Sequence, residues 1–267
     1  MRLFILCFSI IHSVYLIGQE EYWSLSREVE IKNIEAWDVD PMGKVIYAKN
    51  EVLTKLDSSF SVQFTQSLKS FGAIKKIDSR HSLKTLIFSE EQQAIAFIDN
   101  TLTFHKNLKD LSIINVAYAT HVSYSAQTNR YWVFDGDNSK LVLIDENRRR
   151  PQVIENLAGT LGTLDLSQLI EIENVLLLFD KSKGIYLFDI YGSLIDFIAT
   201  HNGISIHFRD EHLFYVTSNE LIRVNIRNRE EVRIPLPEEV ESFRVLGRYI
   251  FFQTPTHLKK YLLKRTR

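Results

Sequence analysis

The chain has 267 residues, 45% of them hydrophobic, with Lys+Arg 32 against Asp+Glu 33 and a formal net charge of −1. That apolar content excludes wholesale disorder, and the even charge balance gives no electrostatic case for nucleic acid or an anionic membrane surface. One cysteine and five prolines exclude a disulfide framework and leave no Pro-rich linker at which to cut the chain into domains.

The N-terminus stands apart. Met1-Arg2 is a short positive start, and Leu3–Ile17 is an apolar run of the length found in secretory signals. Gly18-Gln19 then gives way to Glu20-Glu21, so a signal peptide is expected over residues 1–19. The competing reading, an uncleaved anchor, is disfavoured because the run is short of the ~20 residues of a span and contains Ser9, His12 and Ser13. Cys7 follows Leu6 inside this segment and is lost with it, which leaves a mature chain without thiol chemistry. Export without disulfides suits a periplasmic or secreted protein with no membrane span after signal removal.

From residue 45 one short pattern is written six times: an apolar run, a turn-forming cluster and a second apolar run. The copies are Val45–Asp57, Leu86–Asp99, Tyr131–Glu146, Leu176–Asp189, Phe214–Asn225 and Tyr249–Tyr261. Tyr131–Glu146 is the clearest, with Asp135-Gly136-Asp137-Asn138-Ser139 between its runs. Gly and Asn accept positive φ and Asp caps its own turn, so each copy reads as a β-hairpin. Phased on Asp57, Asp99, Asp145, Asp189, Asn225 and Tyr261, the steps are 42, 46, 44, 36 and 36 residues. Such a period, with four strands per unit, predicts an all-β, six-bladed β-propeller.

An inner strand A precedes each hairpin: Ile34–Val39, Ala73–Ile77, Ala119–Ser125, Leu169–Ile172, Ile204–Phe208 and Ser242–Leu246. An outer strand D follows the first five: Phe60–Thr65, Leu102–His105, Pro151–Glu155, Ser193–Ile198 and Glu231–Pro235. The sixth copy runs out of chain, while Tyr22–Ile31 alternates in the strand manner, with a slip near Arg27, and has no hairpin of its own. Open sheet edges invite aggregation, so the N-terminal strand is expected to complete the last blade. Five or seven blades are the alternatives, and the long apolar stretch between Asn107 and Tyr118 is where the count is least constrained. One domain is expected over residues 20–267.

Val39–Ala48 (VDPMGKVIYA) and Ser125–Asp145 (SAQTNRYWVFDGDNSKLVLID) resemble the repeat of NHL and SMP-30/gluconolactonase-like six-bladed propellers. There a D-P-x-G turn leads into a short aromatic strand, a D-rich turn, and a strand ending in Asp. Ser79-Arg80-His81 and Glu211-His212 stand where other copies would carry that turn. The resemblance implies the fold and a habit of binding at one face, but carries over no catalytic set.

In a four-stranded blade the D–A and B–C connections emerge at one end. The candidate binding face there is Asn50, Glu90, Asp137, Asn138, Lys181, Lys183, His201, Asn202 and His257. The plainer reading of each is a solvated turn residue. Asp135 recurs as Asp180, and Asp57, Asp99, Asp145 and Asp189 recur at the ends of strand C. A residue that repeats with the fold is a turn cap before it is a ligand, and the Asp135 cluster lacks the calcium-loop spacing.

A lactonase of the SMP-30 kind would need metal ligands on the inner strands, where only Glu35, Asp38, Asp78 and Glu171 carry carboxylates. His207 and His212 lack the spacing of a zinc helix, and Arg148-Arg149-Arg150 reads as a solvated turn. No metal and no cofactor are expected. The sequence therefore points to a monomeric, non-enzymatic binding scaffold whose partner is another envelope protein or a surface ligand. A metal-dependent hydrolase acting at the mouth of the fold is the alternative.

Overall fold

The computed structural model describes residues 22–105, 109–111, 115–147, 150–200 and 202–264. The expected signal at 1–19, Arg148, Arg149 and His201 lie outside the described residues. No helix among the described residues is long and apolar enough to cross a membrane.

The first described strand is β1 (Trp23–Glu30); together with the strands that follow, it forms six four-stranded antiparallel sheets, the blades of a six-bladed β-propeller. The chain divides into two compact units, one holding residues 33–202 and the other the described parts of 1–32 and 203–267.

In the first unit, β2 (Ala36–Val39), β3 (Val45–Lys49), β4 (Val52–Leu56) and β5 (Val62–Ser67) form one sheet. Next come β6 (Lys76–Asp78), β7 (Thr85–Ser89), β8 (Ala94–Ile98) and β9 (Lys109–Asp110). They are followed by β10 (Ala119–Tyr124), β11 (Arg130–Asp135), β12 (Lys140–Asp145) and β13 (Gln152–Ile154). The last sheet of the unit is β14 (Leu166–Ile172), β15 (Val175–Asp180), β16 (Gly184–Asp189) and β17 (Leu194–Ala199). Middle strands are buried on both faces, as the unbroken apolar runs VLLLFD and TLIFS require.

The second unit contains β18 (Ser205–Arg209), β19 (His212–Val216), β20 (Glu220–Asn225) and β21 (Glu231–Pro235). Its other sheet is β22 (Ser242–Leu246), β23 (Tyr249–Gln253) and β24 (His257–Leu263), completed by β1. β1 pairs with β24 from Trp23↔Leu263 to Glu30↔His257, and its register shifts between Leu25 and Arg27. That bulge is the slip in the sequence alternation. Trp23 explains why this strand is held: its ring meets Phe252 and Tyr261 edge-on, and its indole N–H donates to the Pro235 carbonyl at 2.6 Å.

The second blade departs from expectation at its outer strand. Around 102–105 there is only an isolated Ile98↔Phe104 bridge, and β9 supplies the outer edge instead. The turn itself is the usual one, Asp99 to Thr103 with Leu102 at φ 68 and fully buried; after it, His105 N–H donates to the Phe97 carbonyl at 2.8 Å, and regular pairing is found at β9. Leu111 and Val116, both from the apolar stretch before Tyr118, plug the core between the second and third sheets. Leu157–Leu161 forms a short helix in the link from β13 to β14, docked by Leu157.

Candidate functional site

The roles of the repeated aspartates decide which carboxylates are left for chemistry. Asp57, Asp99 and Asp189 each accept from the backbone N–H groups two and four residues on, at 2.8–2.9 Å. The fourth residue of each turn, Phe60, Leu102 or Gly192, has positive φ. This is a type I turn followed by a bulge, and Asp40 builds the same device in the β2–β3 turn with Gly43. Asn225 takes the role in the fifth blade. Asp145 accepts from Asn147 N–H and pairs with Arg130.

Asp135 and Asp180 do a second job. Both are fully buried. Asp180 accepts from Ser182 N–H, the Ser182 hydroxyl, Lys183 N–H and Asp165 N–H at 2.6–3.1 Å. Asp135 similarly gathers Ala117, Tyr118 and Asn138. Burial pushes both carboxyls up, but the convergent donors outweigh it and hold both below the usual carboxylate range. Each therefore staples a D–A connection to its own B–C turn and keeps the loop end of its sheet rigid.

The inner-strand carboxylates are spent on joining neighbouring sheets. Asp38 accepts from Ser79 N–H at 2.7 Å, Asp78 accepts from Tyr124 N–H at 3.0 Å, and the Ser123 hydroxyl accepts from Glu171 N–H at 3.3 Å. Asp38, Asp78 and Ser123 share one register position, opposite Ile46, Leu86 and Trp132. One clasp is thus repeated across three blade junctions. Arg80 reinforces the second, gripping Asp78 with two nitrogens at 2.9 Å and reaching the carbonyls of Tyr124 and Glu171. Burial raises the Asp78 carboxyl, yet the charges of Arg80 and Lys76 with the donated hydrogen bonds bring it down to about 2. Glu171 is fully buried and accepts from Trp132 Nε1 at 2.6 Å and Ala126 N–H at 3.0 Å. Glu35 accepts from Asn50 N–H. Among the described residues no group of three acidic, His or Cys side chains converges as a metal cluster would.

What the same strands offer instead lies two residues towards the loop end. Lys76, His121 and Gln168 occupy one register position on β6, β10 and β14, opposite Phe88, Phe134 and Phe179. Burial, then the Lys75 and Lys76 charges, lower the His121 pKa to about 3, so its imidazole is neutral at physiological pH. Lys75 pairs with Glu90 at 2.6 Å. The row combines cations with hydrogen-bonding groups, which suits an anionic or polar ligand group.

Of the expected face, Glu90 pairs with Lys75, the residue before Lys76. Asn138 is turned onto Asp135, and the Lys183 ammonium donates to the carbonyls of Leu161 and Thr163. Asn50 sits at positive φ in a two-residue turn, and Asp137, Lys181 and Asn202 are exposed. His257 contacts Thr256 Oγ1 at 2.8 Å in the other unit. His121 was missed by sequence reasoning; aligning the inner strands on the phenylalanine that each faces would have found it.

Six four-stranded antiparallel sheets in tandem define the class, a six-bladed β-propeller. No protein-family model and no curated protein matches the sequence. Solved structures share the fold. A selenomethionine-substituted virginiamycin B lyase from Staphylococcus aureus gives a TM-score of 0.66 at 10% identity, covering 91% of this chain and 100% of that one. A streptogramin B lyase gives 0.63 at 11% identity, covering 93% and 90%. A chain of the mitotic checkpoint complex gives 0.64 at 10% identity, covering 91% and 92%. Identities this low establish the fold alone.

Proposed function

We propose that the protein is an exported, non-enzymatic binding propeller of the NHL or SMP-30-like kind. Its loop end holds an envelope protein or surface ligand. One observation carries this reading: Asp38 and Asp78 clasp neighbouring blades, while Lys76, His121 and Gln168 form a row of cation, neutral imidazole and amide. A preorganised row on rigid strands, rimmed by loops with exposed Asp137, Lys181 and Asn202, is what a recognition surface needs. The test is capture of envelope components by the immobilised mature protein. Lys76→Glu and Lys181→Glu should each weaken capture, and Asp145→Ala should not. Capture indifferent to both loop-end charge reversals would overturn the reading.

The second reading is a metal-dependent hydrolase, a lactonase acting at the mouth of the fold; it is favoured by the fold shared with a virginiamycin B lyase and a streptogramin B lyase, both enzymes. Quinupristin, the ligand present with one of those lyases, and simple lactones are the substrates to assay with added divalent metal. Turnover above background, with about one ion per chain lost in Glu35→Gln, would put this reading first.

A further inference from the structure

The unit built from β1 and β18–β24 contains a cleft that neither reading uses. It has a volume of about 290 Å³ and lies between its two sheets. Phe214, Ile234, Val245, Ile250 and Leu263 give it apolar walls, and Gly247 with its neighbours shapes the lip. The polar side chains along it are Arg223, Arg248 and Lys264, with no acid.

Arg223 is the informative residue. On β20 it stands on the same side as the buried Leu221, paired across the sheet with Phe214 and Val232. That side of the strand packs into the unit's apolar core. A cation placed there costs desolvation, and proteins offset it with a carboxylate. The acids nearest along the sheet, Glu220 and Glu231, are instead paired with Arg233. Among the described residues no hydrogen bond or ion pair engages the Arg223 or Arg248 side chain. Arg223 is half-buried and lines the apolar cleft, and a guanidinium without a protein acceptor is a fork suited to a carboxylate.

We infer that this cleft binds a small organic carboxylate with an apolar body, its acid group on Arg223 and its hydrocarbon part among Phe214, Ile234, Val245 and Ile250. The volume is near the lower end of small-molecule pockets, roughly 300–1,000 Å³, which fits a monocarboxylate of one ring or a short branched chain. Arg248 and Lys264 at the mouth add attraction for an anion. The site stands independently of the loop end, so either proposal survives failure of the other.

The probe pair is 3-phenylpropionate and its amide, titrated into the mature full-length protein by calorimetry, with the Gly247 amide followed by NMR. The expected result is one carboxylate bound per chain, with the amide at least about tenfold weaker, the worth of a charge-assisted hydrogen bond. Arg223→Met should remove that preference while Arg223→Lys keeps part of it, and the Gly247 resonance should shift only with the carboxylate. If Arg223→Met does not fold, Leu263→Trp fills the cleft with every cation in place and should abolish binding. Equal binding of acid and amide, binding unchanged in these variants, or no binding of the acid to the unaltered protein overturns the site.

Discussion

Arg80 and Asp78 show how much structural work one side-chain pair does here. Asp78 is 4% exposed and Arg80 joins it to the carbonyls of the next two inner strands. Removing one partner of a buried pair costs about 3–5 kcal/mol, and the 28% exposure of the Arg80 side chain argues for discounting that. Asp78→Asn is therefore expected to lose roughly 2–3 kcal/mol in denaturant unfolding at pH 7. Because its carboxyl titrates at about 2 rather than 3.8, this contribution is whole above about pH 4. It disappears as pH falls through 2, and the variant should lack that acid limb. His121 acts over a higher range. Its pKa of about 3 against an ordinary 6.5 means the unfolded chain takes a proton that the folded chain refuses. Stability is full above 6.5 and falls progressively towards pH 3, by at most about 1.4 kcal/mol per unit. His121→Gln should flatten the stability profile between pH 6 and about 4, by measured melting points; an unchanged slope refutes the assignment. Asp180→Ala takes the acceptor from the Asp165, Ser182 and Lys183 N–H groups and should cost about 1–2 kcal/mol. Asp189→Ala, on an exposed turn, should lower the melting point less.

At the level of elements, β1 is the strand on which its sheet depends. Without it β24 presents an open edge and Trp23 leaves a hole among Phe252, Tyr261 and Pro235. Deleting residues 22–30 should give insoluble or cooperatively weakened protein. Trp23→Ala alone should cost about 3–5 kcal/mol. A deletion protein that melts like the parent would sink this closure. Gly184 sets a different limit. At φ 142 its position has room for no side chain, because a Cβ would lie 2.4 Å from the Ile198 carbonyl. Gly184→Ala must push β17 off β16, and its cost in chemical denaturation should exceed the ~1 kcal/mol of an ordinary glycine replacement.

For the whole molecule, the clasps and staples leave the loop ends of the sheets stiff and their exposed side chains to supply specificity. Export is part of the proposed function, and N-terminal sequencing of envelope-extracted protein should then read from Glu20. A start at Met1 would point to an anchored chain. The purified mature protein is expected to hold no stoichiometric divalent metal, since binding one would require Glu35, Asp38, Asp78 or Glu171 to abandon partners that hold the sheets together. Metal analysis showing one ion per chain would contradict this.

Much of the fold was legible in the letters, because hairpins and turns are local. The period of the runs gave the six sheets, the alternation of Tyr22–Ile31 with its slip at Arg27 marked β1 and its bulge, and the repeated aspartates announced their turns. Local chemistry did not place the outer strand of the second blade: an Asp turn like the others precedes it, yet regular pairing is found only at β9. The site was far less legible. Whether Glu171 is a ligand or the acceptor of Trp132 Nε1 depends on a contact between residues 39 positions apart. Lys76, His121 and Gln168 are 45 and 47 residues apart in sequence and become one row only through the register of three separate sheets. Arg223 reads as an ordinary strand charge until the cleft beside it is seen. Periodicity fixes which residues pair within a blade; which side chains face one another across blades is decided by packing, where burial and partner choice set the charge state and the chemistry left over.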